Sequence, residues 1–198
     1  VDSRYCASRL TDYSPSEGYR IAFPMAEENN GNGTSEPAMA LPGATPWRTL
    51  TLGATLHPIV ETTIPWDLVE ERYTPSIPYR MGRSTWSWII WQDPSMNFED
   101  QCRYIDLAQA MSYEYILIDA GWDRQIGYER MPELFAYARA RGIEPWLWYS
   151  SSGYWNDITQ SPVNLMDNPI RRKAEMRWMR EQGVRGIKVD FWGGDKQE

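Results

Sequence analysis

The sequence is poor in the residues that carry the commonest catalytic and metal chemistries. It has one histidine, His57, and two cysteines, Cys6 and Cys102, in 198 residues. One histidine outside the regularly patterned part of the chain gives no serine–histidine–aspartate triad. It reads as a loop or strand residue of a β-domain. One histidine and two distant thiols leave no paired ligand spacing for zinc. Two cysteines are too few for a disulfide framework, and Cys102 falls on an expected helix face, where a thiol packs as a small apolar group. Basic clusters are missing. The 20 Lys and Arg stand against 27 Asp and Glu, a net charge of −7, which argues against a nucleic-acid partner. No apolar run approaches the roughly 20 residues of a membrane span. Val1-Asp2-Ser3-Arg4 is not a signal peptide. No glycine-rich fingerprint follows the first expected strand of the α/β part, which argues against a dinucleotide site.

Against these shortages stand eleven Trp and twelve Tyr, with only four Phe. Both side chains combine an apolar face with a polar edge. Sugar rings have the same two-sided character. A large core also uses Trp, so position has to decide between the two.

Residues 1–72 are irregular and read as the margin of a β-domain. Glu27-Glu-Asn-Asn-Gly-Asn-Gly-Thr-Ser-Glu-Pro37 is expected to be a polar loop, and Asn32-Gly33-Thr34 within it matches a glycosylation sequon. Trp47-Arg-Thr-Leu-Thr-Leu52 alternates like a strand, and Ile59-Val-Glu-Thr-Thr-Ile64 reads as another. Residues 73–83, punctuated by Pro75 and Pro78, read as a linker.

From residue 84 to 198 the pattern changes. Ser84–Trp91, Tyr115–Asp119, Ile143–Tyr149 and Gly186–Phe191 are short apolar runs of strand length. Between them, Phe98, Cys102, Ile105 and Ala108 recur at helical spacing. Pro132 and Gly142 bracket a second helix. Asn168-Pro169 opens a third helix and Gly183 closes it. Alternating strands and helices mean an α/β fold with a parallel sheet. Four such units make the first half of a (β/α)8 barrel. Half a barrel leaves two unpaired edges and an unfilled interior, so the chain reads as part of a longer protein.

Polar and aromatic residues gather at the C-terminal end of every expected strand: Trp86, Ser87 and Trp88; then Asp119 and Trp122; then Trp148 and Tyr149; then Lys188 and Asp190. In a parallel barrel these ends meet at one mouth, where barrel enzymes keep their chemistry. Carboxylates accept from hydroxyls, a lysine donates, and indoles stack on ring faces. Each residue has a structural alternative. Asp119 before Gly121 fits a turn that bonds its own backbone. Lys188 and Asp190 share a face and fit a buried ion pair. Trp86 with Trp88, and Trp146 with Trp148, fit the layers that fill a barrel. Glu129, Glu133, Glu175 and Glu181 read as solvated helix faces. Asp93, Asp157 and Asp167 read as turn or cap residues.

Gly82-Arg-Ser-Thr-Trp-Ser-Trp88, Tyr113-Glu-Tyr-Ile-Leu-Ile-Asp-Ala-Gly-Trp122, Trp146-Leu-Trp-Tyr149 and Gly186-Ile-Lys-Val-Asp-Phe-Trp-Gly-Gly-Asp-Lys-Gln197, in this order and at barrel spacing, together resemble glycoside hydrolase family ninety-seven. Pro46-Trp47-Arg48 and Pro65-Trp-Asp-Leu68 look like the exit of that family's N-terminal β-sandwich. The resemblance implies a β-sandwich, a (β/α)8 barrel and a small C-terminal β-domain. It implies a bacterial glycosidase, periplasmic or secreted, acting on oligosaccharides or α-glycosides. It also implies calcium near the site, held by glutamates outside this chain. Inverting members lack a carboxylate at the end of the fourth barrel strand. Retaining members, similar to α-galactosidases, place an aspartate nucleophile there, and the matching residue is Asp190. Lys188 and Asp119 match positions that hold sugar hydroxyls. Trp86, Trp88, Trp122 and Trp148 are expected beside them.

The acid/base glutamate is expected on a later strand, so the 198-residue chain alone is expected to show no turnover. The expected substrate is a terminal α-galactoside, or a related α-glucoside. The alternative is a carbohydrate-binding protein on a barrel that lacks the acid/base. Ser112 stands where the family usually has glycine, at a helix end.

Overall fold

The computed structural model describes residues 9–10, 12–22, 25–34, 41–43, 47, 49–71, 73–153 and 158–191. Cys6, Arg48, Asp157 and the motif residues from Trp192 onward lie outside the described residues, as do Ser35–Pro37 of the polar loop. The chain divides into two compact units, residues 1–38 with 82–198, and residues 39–81.

The unit of residues 39–81 differs from expectation. Residues 47 and 49–52 form no strand. A strand needs a ladder partner for its N–H and C=O groups, and no pairing to this segment occurs among the described residues. The second expected strand is replaced by two short helices, α1 (His57–Glu61) and α2 (Ile64–Asp67). Each has a proline in its first turn, where the missing N–H costs nothing. His57 is therefore a helix residue, and its Nδ1 lies 2.9 Å from Glu61 Oε2.

In the larger unit, β1 (Arg9–Leu10) pairs antiparallel with β2 (Ile21–Ala22). Its main body is a parallel four-stranded sheet: β3 (Ser84–Trp86), β4 (Tyr115–Ile118), β5 (Glu144–Ser150) and β6 (Gly186–Asp190). The spatial order is β3-β4-β5-β6, the order of the sequence. A doubly wound sheet would reverse direction at a switch point. Here each strand joins the edge left by the one before it, as in the first half of a (β/α)8 barrel. Pro145 is accommodated within β5, opposite Ile116 of β4, and its carbonyl accepts from Arg185 N–H at 3.0 Å.

The first strand is shorter than its apolar run. It stops at Trp86, and Trp88–Trp91 forms the helical turn α3. The Ile90 and Trp91 N–H groups turn back to the Ser87 carbonyl, and Gln92 then adopts a left-handed φ of 57°.

The helices form as their signals require. In α4 (Phe98–Ala110), the Asn97 side chain caps the Asp100 N–H. α5 (Trp122–Gln125) is a single turn, and α6 (Met131–Arg139) has Pro132 in its first turn; Gly142 follows at φ 73°. α7 (Pro169–Gln182) is capped by Asn168, which accepts from two backbone N–H groups, and it ends at left-handed Gly183. Ser112, just past α4, also has a positive φ, 55°. This is the conformation that glycine adopts without strain.

The core lies between the sheet and the helices. Ile116, Ile118, Leu147 and Tyr149 point out of the sheet onto Ile105, Ala108, Leu134, Phe135, Ala138 and Met179. Full burial of each large apolar side chain contributes about 1.5–3 kcal/mol, which sets the sheet's register. The period-two alternation then sends Trp86, Asp119, Trp146, Trp148, Lys188 and Asp190 to the opposite face. Cys102 is half-buried against the core, and burial pushes its thiol pKa up.

Candidate active site

The inner face of the sheet is built in rows. Trp86 pairs with Leu117, Leu117 with Trp146, and Trp146 with Gly186. The row above carries Trp148 opposite Lys188, with Ser150 opposite Asp190 at the end. A glycine is needed at 186. A Cβ there would lie 2.4 Å from the Trp146 ring.

Lys188 is the hub. Its Nζ lies 3.1 Å from Asp119 Oδ2 and 3.4 Å from Asp190 Oδ2. The same ammonium sits over the Trp86 ring, 4.5 Å from its centroid, and 6.0 Å from that of Trp88. A cation over an indole face is attracted by the ring quadrupole. Asp119 is buried. Its Oδ2 also accepts from Trp86 Nε1 at 2.5 Å, and its Oδ1 from the Ala120 N–H at 2.7 Å. The two oxygens have different partners, Ala120 N–H on one and Trp86 with Lys188 on the other. One oxygen closes the turn before Gly121, and the other faces the site.

Asp190 is the last residue of β6, and its side chain is 43% exposed. Partial burial pushes its carboxyl up. The Phe191 N–H at 2.9 Å, the Trp148 indole at 3.3 Å and Lys188 outweigh this and hold it below the usual carboxylate range. Phe191 has a φ of 55°, and its carbonyl accepts from the Ser151 and Ser152 hydroxyls at 3.1 and 2.5 Å.

The four tryptophans proposed to meet sugar fall into two groups. Trp86 and Trp88 are half-buried and stack, with centroids 5.8 Å apart and an interplanar angle of 16°. Trp88 Nε1 is fixed by Asp93 Oδ1 at 2.7 Å. Trp122 is fully buried, which corrects its expected place in the mouth. Gly121 has a φ of 90° and turns the chain off the strand axis. The indole then packs against Trp178, Tyr128 and Tyr149, and its N–H goes to the Trp148 carbonyl at 2.9 Å. Trp148 is 1% exposed and presents its edge to Asp190 rather than a face to solvent.

Glu175 is also corrected. It is half-buried rather than on a solvated face, and its Oε2 accepts from Tyr149 Oη at 2.9 Å and Tyr128 Oη at 3.0 Å. Nothing in the local sequence marks it, since its partners lie 26 and 47 residues away.

Calcium takes six to eight oxygen ligands. Among the described residues no three carboxylate, imidazole or thiol groups converge. The two carboxylates at the mouth hold Lys188 between them. These residues do not fit a calcium ion. No helix among the described residues is long and apolar enough to cross a membrane.

The sequence and this arrangement match known proteins. A profile of the family described as Glycoside hydrolase 97 matches residues 79–198. A probable retaining alpha-galactosidase of Streptomyces bingchenggensis is 28% identical over 212 residues, covering 100% of this chain and 30% of that protein. A retaining alpha-galactosidase of Bacteroides thetaiotaomicron is 28% identical over 171 residues, covering 77% of this chain and 23% of that protein. The crystal structure of a beta-arabinopyranosidase superposes with a TM-score of 0.91 at 66% identity, covering 100% of this chain and 31% of that chain. The chain thus spans less than a third of the length of the curated relatives it matches. With the matched profile covering more than half of its residues, the chain belongs to glycoside hydrolase family 97.

Proposed function

We propose that the protein carrying this chain is a retaining exo-glycosidase that removes a terminal pyranosyl group through a covalent bond to Asp190. The carrying observation is the Lys188 hub, which ties a buried Asp119 to an accessible Asp190 at the end of β6. Asp190 is held as a carboxylate, as a nucleophile must be. One of its oxygens attacks the anomeric carbon, and the bond from that carbon to the leaving oxygen breaks. The leaving oxygen takes a proton from a carboxylic acid, which this reading places on a later barrel strand. Water, activated by the same group, then releases the sugar from Asp190 with its configuration retained. Asp119 and Lys188 hold ring hydroxyls as acceptor and donor, and Trp86 and Trp88 offer the apolar surface.

The substrate is a β-L-arabinopyranoside first and an α-D-galactopyranoside second. The 66% identical structure is that of a beta-arabinopyranosidase and the 28% identical relatives are named alpha-galactosidases; the L series is taken for arabinose because its ring matches that of D-galactose. The two sugars share one ring configuration, and arabinopyranose lacks only the exocyclic hydroxymethyl group. The site is expected to work on glycosides outside the cytoplasm.

The test uses the full-length protein with p-nitrophenyl β-L-arabinopyranoside, α-D-galactopyranoside and α-D-glucopyranoside. Asp190→Ala should abolish hydrolysis, and azide should restore it by attacking from the vacated face, giving a glycosyl azide of inverted configuration. A retained azide would move the nucleophile's role away from Asp190. Sugar binding without hydrolysis by the unaltered protein would leave only a binding module.

A further inference from the structure

Trp148 has the aromatic side chain of a sugar platform but none of the exposure. At 1% exposed it offers no face to a ligand. Its edge is directed instead. The β5–β6 register sets it opposite Lys188, two residues before Asp190, and its Nε1 reaches Asp190 Oδ2 at 3.3 Å. Lys188 approaches the same oxygen at 3.4 Å. The other oxygen, Oδ1, takes the Phe191 N–H.

The indole is itself held from several sides. Its own carbonyl accepts from Trp122 Nε1 at 2.9 Å. The next residue, Tyr149, is tied through its hydroxyl to Glu175 on α7 at 2.9 Å. Phe191 packs edge-on against the ring at 5.8 Å. A donor fixed by its backbone, its neighbour and its ring face can set the orientation of the group it bonds.

Resting on the reading of Asp190 as nucleophile, we propose that Trp148 is a positioning residue for that carboxylate: its N–H holds Oδ2 while the Phe191 N–H holds Oδ1, so the two donors together fix the rotation of Asp190 and leave the second lone pair of Oδ1 for the anomeric carbon. The bond is long for an N–H to carboxylate contact, as such bonds often are before substrate arrives. Among the described residues, the charged groups facing Asp190 are Lys188 on its own strand and, through Lys188, Asp119 just past β4. Neither can replace a directional donor from β5.

The test is Trp148→Phe in the full-length protein, which removes the N–H and keeps a buried ring. kcat/KM should fall about tenfold with KM little changed, and its acid limb should move up by about one pH unit, because a lost hydrogen bond to the ionised form makes protonation easier. The acid limb of kcat/KM reports the free enzyme's essential carboxylate. A fall in activity with the limb unmoved would give Trp148 a packing role only and overturn the proposal, as would unchanged activity. If Trp148→Phe does not fold, benzothienylalanine at this position keeps the outline of the indole and replaces the N–H by sulfur, and the same two outcomes decide. Full activity of Asp190→Asn would instead overturn the reading of the site itself, whatever Trp148 does.

Discussion

Lys188→Met removes the cation that two carboxylates share. At an effective dielectric of about 20, each contact amounts to about 5 kcal/mol before desolvation is subtracted. The two contacts are unequal. Asp190 is 43% exposed, so water screens most of its share. Asp119 is 3% exposed and would be left as a buried charge without its counter-ion. Orphaning a wholly buried charge costs about 3–5 kcal/mol. Here the Trp86 and Ala120 N–H groups remain bonded to Asp119. Lys188 is itself 28% exposed, which lowers the expected loss to about 2 kcal/mol. For a domain of barrel size this lowers the melting temperature by roughly 4–8 °C. Replacing Asp119 by Asn as well removes the orphaned charge, but the amide keeps one acceptor oxygen for two N–H donors, Trp86 and Ala120, so only part of the loss should be recovered. The assay is thermal unfolding of the parent, Lys188→Met and Lys188→Met/Asp119→Asn at pH 7. The part that passes through Asp190 carries a pH signature. Its carboxyl is held below the usual range, so that stabilisation is complete above about pH 4 and is lost as the pH falls through the lowered value. A single variant that melts like the parent would refute the hub as a stabilising element.

Two further predictions follow from the packing. Gly186→Ala drives a Cβ into the Trp146 ring at 2.4 Å and should cost about 1–3 kcal/mol, read as a lower unfolding midpoint; an unchanged midpoint would mean that Trp146 can swing aside. Tyr149 and Tyr128 have phenols held above the usual range, by burial first and then by the Glu175 charge, so Tyr149→Phe should leave the absorbance rise at 295 nm unchanged up to about pH 11, one unit past an ordinary phenol. The stability these neutral phenols contribute is complete below about pH 10 and declines as the pH rises further.

The α/β part was legible because its signals are local. Apolar runs, helical spacing and the caps at Asn168 and Gly183 each lie within one element. The run from Ser84 to Trp91 misled because a short apolar stretch has no internal mark where strand gives way to helix. Hydrogen bonds to the Ser87 carbonyl make that break. Upstream, Pro58 and Pro65 were the available signal, since a proline in the first turn favours the helices found there. At the site, alternation placed Lys188 and Asp190 on one face, and the structure joins them through the ion pair weighed from sequence. The fate of the tryptophans was not legible. Gly121 sends Trp122 outward, and a parallel register turns the edge of Trp148 towards Asp190. The first placement is completed by Trp178 and the second by β6, both far along the chain.

Phe191 closes β6 in a left-handed conformation that costs a non-glycine residue about 1 kcal/mol or more. A strand cannot continue through such a residue, so Asp190 occupies the final rung by chain geometry rather than by side-chain reach. Ser151 and Ser152 hold that rung in place through the Phe191 carbonyl. The spacing from β5 to Ser152 is therefore a ruler for the Asp190 carboxylate. An insertion or deletion there, touching no charged group, would displace Asp190 from the tryptophan edge and from the lysine together.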